Sequence, residues 1–207
     1  SGLHIIDEVF TRVKINLLSL PGERLEDIKS AEAHLVLLPQ ASAFLEENNI
    51  SGIRAVDSAG AAAALKESKT KGVGVLASRL AAEIYDLKVL AENIEDTDHN
   101  TTRFLLMSSR PDNTRRGDTK MMTTFIFQVR NIPAALYKAM GGFATNGVNM
   151  TKLESYMVGG SFSATQFYAD IEGHPDDNNV KLAMDELSYF TQSISILGVY
   201  PASSKRV

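Results

Sequence analysis

Two short apolar runs in this chain each end on a helix-capping residue, and that pairing constrains its fold more than any other feature. Ile53-Arg54-Ala55-Val56 runs into Asp57-Ser58 and then the small-residue stretch 59–65. Val73-Gly74-Val75-Leu76-Ala77 runs into Ser78 and residues 79–85. Short apolar runs of this kind predict strands, and Asp or Ser at the boundary accepts N–H groups that a starting helix leaves unpaired. Residues 13–20 and 87–90 read as further strands, so the alternation predicts a parallel α/β layer. A further helix is expected over 35–48, starting near His34, with Pro39 kinking it or delaying its start. In such a layer the helix starts gather at the carboxyl edge of the strands, where free N–H groups favour carboxylates or phosphates.

The next informative segment is Asn100-Thr101-Thr102-Arg103-Phe104. Thr102 offers a hydroxyl and Arg103 a permanent cation, while Phe104-Leu105-Leu106-Met107 predicts a buried strand. Residues 108–122 are polar, with Pro111 and Gly117, and read as a linker. Beyond them the pattern changes. Strand 124–129 is followed by a helix over 134–144, introduced by Pro133 and stopped by Asn146-Gly147. Strand 148–158, the turn Gly159-Gly160 and strand 162–171 come next. A helix over 176–191, apolar at Val180, Met184, Leu187 and Phe190, and a strand over 193–200 complete a ferredoxin-like βαββαβ order.

Composition narrows the function classes. The net charge of −4 argues against a nucleic-acid partner, which calls for a basic surface. The chain has no cysteine, and His4, His34, His99 and His174 are scattered without metal-ligand spacing, so no metal site is expected. No apolar run approaches a membrane span, and the start lacks signal-peptide character; a cytoplasmic protein without a membrane partner is the expectation.

Several motifs, in order, resemble the prephenate dehydratase family with its carboxy-terminal ACT regulatory domain. His34 and Gln40 resemble the His and Gln of an S-H-P-x-A-L-x-Q-C segment, although Ala33 and Ala41 replace its Ser and Cys. Residues 57–62 resemble D-T/S-A-G-A-A, and 76–83 resemble A-I-A-S-x-x-A-A-E. Residues 100–104 resemble N-x-T-R-F, which carries the family's catalytic threonine. Residues 132–136 resemble the P-G-A-L helix start, and 146–155 resemble G-I-N-L-T-K-I-E-S. Tyr156-Met157 stands where the family has Arg-Pro.

The resemblance implies a two-lobed, periplasmic-binding-protein-like α/β dehydratase domain over 1–107, a linker over 108–122, and a ferredoxin-like ACT domain over 123–207. The family's first segment, with G-x-x-G-x-x-S-x-x-A and P-I-E-N-S patterns, has no counterpart here. The first lobe is therefore expected to be incomplete and the chain, as it stands, inactive. The implied reaction expels carbon dioxide and water from prephenate to give phenylpyruvate in L-phenylalanine biosynthesis. Aromatisation drives it, and no cofactor is needed. Thr102 and Arg103 are the implied catalytic pair. Gln40, Ser58, Ser78, Asn100 and Phe104 are the implied substrate-binding residues, with His34 a packing residue and Asp57 a cap. Arg103 could instead pair with Asp96 or Asp98. L-Phenylalanine is the implied allosteric effector, held between two ACT domains of a homodimer or homotetramer by Ala134, Ala135, Leu136, Asn146, Gly147, Asn149, Glu154 and Ser155. Two other readings stay open: an amino-acid-binding module without catalysis, and a periplasmic-type solute receptor.

Overall fold

The computed structural model describes residues 2–97, 99–114, 117–130, 132–160 and 164–206. In chain order the elements are β1 (His4–Arg12), β2 (Asn16–Ser19), β3 (Ser30–His34), α1 (Ser42–Glu47), β4 (Ser51–Ala55), α2 (Ser58–Ser68), β5 (Val73–Ala77), α3 (Arg79–Tyr85) and β6 (Lys88–Ala91). They continue with β7 (Thr101–Ser108), β8 (Met121–Val129), α4 (Ala135–Thr145), β9 (Met150–Met157), β10 (Ala164–Glu172), α5 (Asn178–Phe190) and β11 (Thr191–Pro201). The chain forms two compact units. One is Arg12–Thr102; the other joins Ser1–Thr11 to Arg103–Val207.

The 12–102 unit holds a five-stranded sheet in the order β4-β3-β5-β2-β6. β3 runs parallel to β4 and β5. β2 runs antiparallel to β5 and β6, so the layer is mixed rather than parallel as expected. The cause lies in the connection after β2. Residues 20–29 hold a turn and one 3-10 turn, Leu25–Asp27, and a parallel return would need a crossover, usually a helix. β3 escapes the sequence reading because Ser30-Ala31-Glu32-Ala33-His34 lacks branched residues, yet Ala31 and Ala33 alternate into the core and are fully buried.

The helix expected from His34 starts later. His34 closes β3, its carbonyl accepts from Leu37 N at 2.9 Å, and Pro39 opens a 3-10 turn before α1 begins at Ser42. The other two helix starts agree with the sequence. Asp57 caps α2, its Oδ1 accepting from Gly60 N at 2.6 Å, and Ser78 caps α3, its Oγ accepting from Ala81 N at 3.3 Å. One face of the sheet packs Ile15, Leu17, Ile28 and Leu76 against Leu45; the other packs Leu18 and Val75 against Ala61, Ala62 and Leu65 of α2.

The other unit carries a six-stranded sheet in the order β7-β1-β11-β8-β10-β9. Within it, β8-α4-β9-β10-α5-β11 is a βαββαβ unit whose four strands stand as β11-β8-β10-β9. Phe125, Phe127 and Phe167 pack with Ala139 and Phe143 of α4 and Val180, Ala183 and Leu187 of α5. β1 adds parallel to β11, Ile5 opposite Gly198, and β7 adds outside β1. A Cβ on Gly198 would run into the carbonyl oxygen of Ile5, so the two backbones meet only because this residue is glycine.

This arrangement divides the chain elsewhere than through 108–122. Contacts put the division between Thr102 and Arg103 and place the first eleven residues with the second unit. Being an edge strand, β7 is also less buried than its apolar run predicts: Phe104 is 56% exposed, with Leu106 and Met107 about half exposed. Arg115-Arg116 and Phe162 lie outside the described residues. No helix among the described residues is long and apolar enough to cross a membrane.

Candidate functional site

β3, β4 and β5 end together at His34, Ala55 and Ala77. The chain leaves these ends into the starts of α2 and α3, so their unpaired N–H groups open at one edge. Ser58 is the first residue of α2; its Oγ accepts from His34 N at 3.2 Å and ties the end of β3 to that helix. Ser78 is exposed at the same edge. Asn16 enters antiparallel β2 opposite Ala77 and is buried there. Its Nδ2 donates to Ala77 O at 3.2 Å and its Oδ1 accepts from Asn93 N at 3.4 Å.

A cleft of about 260 Å³ lies against these groups, lined by Arg12, Lys14, Asn16, Ser78, Arg79, Glu92 and Asn93. Arg79 donates to Glu92 at 2.6 Å, whereas Lys14 is exposed and makes no ion pair among the described residues. A larger cleft of about 790 Å³ opens at the opposite edge, beside Leu20, Glu23, Lys66 and Lys69. It touches none of the residues singled out from the sequence and lies at the amino ends of β3 and β5, whereas open α/β sheets bind ligands beyond the carboxyl ends. Asn16, Lys14, Arg79 and Asn93 were missed by the sequence reading. A polar residue inside the run Ile15-Asn16-Leu17-Leu18 was the available signal.

Gln40 and Asn100, both expected at the substrate site, are brought together. Asn100 Nδ2 donates to Gln40 Oε1 at 2.7 Å. Main-chain bonds frame the pair: Asp96 N to Gln40 O at 2.7 Å and Val13 N to Asn100 O at 2.8 Å. Val13 lies between the cleft residues Arg12 and Lys14, so Asn100 is fastened to the chain that borders the cleft. Asp96 does not pair with Arg103. Its carboxylate accepts from Ser42 N at 3.1 Å, Ser42 Oγ at 2.9 Å and Ala43 N at 3.2 Å, capping α1 from a distance. Asp98 lies outside the described residues.

Thr102 and Arg103 part ways. Side chains alternate along a strand; Thr102 is exposed and its hydroxyl has no hydrogen-bond partner among the described residues, while Arg103 turns inward. Its Nε donates to Glu8 Oε2 at 2.7 Å, one terminal nitrogen donates to Asp170, and the other to Tyr200 OH at 2.6 Å. Thr124 Oγ1 donates to Asp170 Oδ1 at 2.6 Å and lies 2.6 Å from Tyr200 OH. A hydroxyl has one proton, so Tyr200 must donate to Thr124 while accepting from Arg103. Glu8 also accepts from Ser203 N and from Arg206.

The electrostatics follow. Burial opposes ionisation of Arg103, but Tyr200, Asp170 and Glu8 raise its pKa above the usual value. Burial alone would raise Glu8, yet the bond to Arg206, the Ser203 amide and both guanidinium charges hold it below the ordinary carboxylate value. Burial also pushes Tyr168 up to about 12, with Asp170 adding to the effect.

The expected effector residues do not converge within one chain. Ala134, in the left-handed region at φ 59°, with Ala135 and Leu136 starts α4, whereas Asn146 and Gly147 end it. A helix of 11 residues spans about 16 Å. Asn146 Nδ2 donates to Gly142 O at 2.8 Å and Glu186 Oε1 at 2.9 Å, and Asn149 O accepts from Glu172 N at 2.9 Å. Glu154 and Ser155 are exposed on β9. Tyr156 OH donates to Glu154 at 2.7 Å; that bond and Lys152 lower the carboxyl, and the same bond raises the Tyr156 phenol.

Comparison with known proteins gives the family. A family model described as prephenate dehydratase matches residues 1–112. The chain is 48% identical over 206 residues to a bifunctional N-acyl-homoserine lactone acylase/prephenate dehydratase of Komagataeibacter europaeus, covering 100% of this chain and 73% of that protein. It is 37% identical to the chloroplastic arogenate dehydratase/prephenate dehydratase 1 of Arabidopsis thaliana, covering 96% of this chain and 54% of the relative. The crystal structure of a prephenate dehydratase from Arthrobacter aurescens in complex with L-Phe superposes with a TM-score of 0.86 at 27% identity, covering 99% of this chain and 68% of that one. The chain belongs to the prephenate dehydratase family.

Proposed function

We propose that this protein is a lyase that converts prephenate to phenylpyruvate in L-phenylalanine biosynthesis, feedback-regulated by L-phenylalanine through its βαββαβ half acting as an ACT domain. The observation that carries this reading is the Gln40–Asn100 hydrogen bond, which leads along the chain to an exposed Thr102 in a member of this family. The ring carboxylate leaves as carbon dioxide, and its bonding electrons enter the ring as the hydroxyl departs as water, taking up one proton. The protein must orient a dianion and protonate that hydroxyl. Ser58, Ser78 and the basic cleft side chains suit the carboxylates; Thr102 serves the departing hydroxyl. The reaction needs no metal or organic cofactor. A cytoplasmic location fits such an enzyme.

The positions of the effector residues at opposite ends of α4 favour a ligand shared between two copies, hence a homodimer or homotetramer. The L-Phe held by the Arthrobacter aurescens relative supports the choice of effector.

The test is phenylpyruvate formation by the protein at its full natural length, with prephenate and arogenate as competing substrates. Thr102→Ala should lower turnover by roughly 100-fold or more. Unchanged turnover would remove Thr102 from the mechanism. The Komagataeibacter europaeus relative favours a second reading, acyl-amide hydrolysis of N-acyl-homoserine lactones. Release of fatty acid from such a lactone by the same preparation decides it.

A further inference from the structure

Arg103 follows Thr102 in the chain, yet its side chain is spent inside its own unit. Three nitrogens of one guanidinium meet three different groups: Glu8 of β1, Asp170 of β10 and Tyr200 of β11. Glu8 and Asp170 side chains are fully buried and that of Arg103 is 18% exposed. The donors and acceptors form one directed chain, from Arg103 to Tyr200 to Thr124 to Asp170, and Arg103 also donates to Asp170 directly, so both paths end on that carboxylate. Each nitrogen of the guanidinium thus already has a partner within its own unit. β7 is also an edge strand, paired among the described strands with β1 alone. Edge strands fray most readily, so a side-chain anchor matters more here than in the middle of a sheet.

We propose that Arg103 is a positioning residue: clamped by Glu8, Asp170 and Tyr200, it holds the start of β7 so that the neighbouring Thr102 hydroxyl keeps a fixed direction on the opposite face. The inference rests on the reading that Thr102 serves the dehydration. It assigns the network a role in turnover, exerted through the main chain rather than by contact with substrate. Lysine at 103 would keep the charge but could not meet three partners in a planar fork. Phenylalanine at 200 would keep every charge and break the directed chain of hydroxyls.

The experiment places Arg103→Lys and Tyr200→Phe in the wild type and in Thr102→Ala, each at full natural length. It measures kcat and KM for prephenate, the thermal midpoint, and hydrogen–deuterium exchange of amides 101–104. Arg103→Lys should lower kcat by about 10-fold or more with KM changed by less than about 3-fold, and Tyr200→Phe should lower kcat by a few-fold. Both should speed exchange at 101–104. In the Thr102→Ala background neither should lower kcat further. An equal additional loss in that background, or unchanged exchange, would overturn the inference while leaving the Thr102 reading intact. No loss from Thr102→Ala alone would overturn both. Should Arg103→Lys fail to fold, Tyr200→Phe carries the same comparison.

Discussion

Asn100 donates its side-chain amide to the side-chain carbonyl of Gln40 at 2.7 Å, across 60 positions of sequence. The bond leaves each amide with unused groups and fixes the orientation of both. Asn100→Ala should therefore free the Gln40 amide as well as remove its own. KM for prephenate should rise by roughly 10-fold, and Gln40→Ala should add little in that background. Steady-state kinetics on the two single variants and the double variant check this; full additivity would mean that the pair does not act as a unit.

Gly198→Ala should detach β1 from β11. The added methyl meets the Ile5 carbonyl, which belongs to backbone and cannot swing aside. Overpacking of this kind costs about 1–3 kcal/mol, and the loss should show as a lowered midpoint in denaturant titration. Protease digestion should also cut the first residues sooner.

Glu8 makes stability depend on acidity. Its folded pKa lies below the ordinary 4.5, so its contribution is fully present above that value and is lost as pH falls through the folded pKa. Glu8→Gln should lower the thermal midpoint at pH 7, and the gap to the wild type should narrow below pH 4.5. A gap that stays constant down to pH 3 would mean that the carboxylate charge is not what the network uses.

Asp57→Ala removes the cap of α2, whose Oδ1 holds Gly60 N at 2.6 Å. The cost should be about 1 kcal/mol, or about 2–4 °C in thermal midpoint. Asp57→Asn should recover most of it. Circular dichroism melts of the three proteins give the answer.

The caps at Asp57 and Ser78 and the βαββαβ order were legible because each depends on neighbours in sequence. β3 was not, since its core contacts are made by alanines that carry no strand preference. The direction of β2 was hidden for a similar reason: it depends on which strands it lies between. In the site, Asn100 and Gln40 could be named from motifs, but their bond could not. The partners of Arg103 sit at positions 8, 170 and 200, and no local pattern relates an arginine to acids at opposite ends of a chain. Phe104 reads as buried because the run is apolar, and only the sheet order shows it at an edge.

β1 lies beside β11, and this has a consequence for synthesis on the ribosome. Among the described residues, the five strands of the 12–102 sheet all lie within that segment and can pair as they emerge. β1 emerges before them, yet its parallel partner β11 is made after every one of them. At ordinary elongation rates that wait is on the order of 10–40 s. Throughout it, Glu8 faces neither Arg206 nor the Ser203 amide, and Ile5 has no Gly198 to rest on. Residues 12–102 thus complete their strand pairing before β1 meets β11.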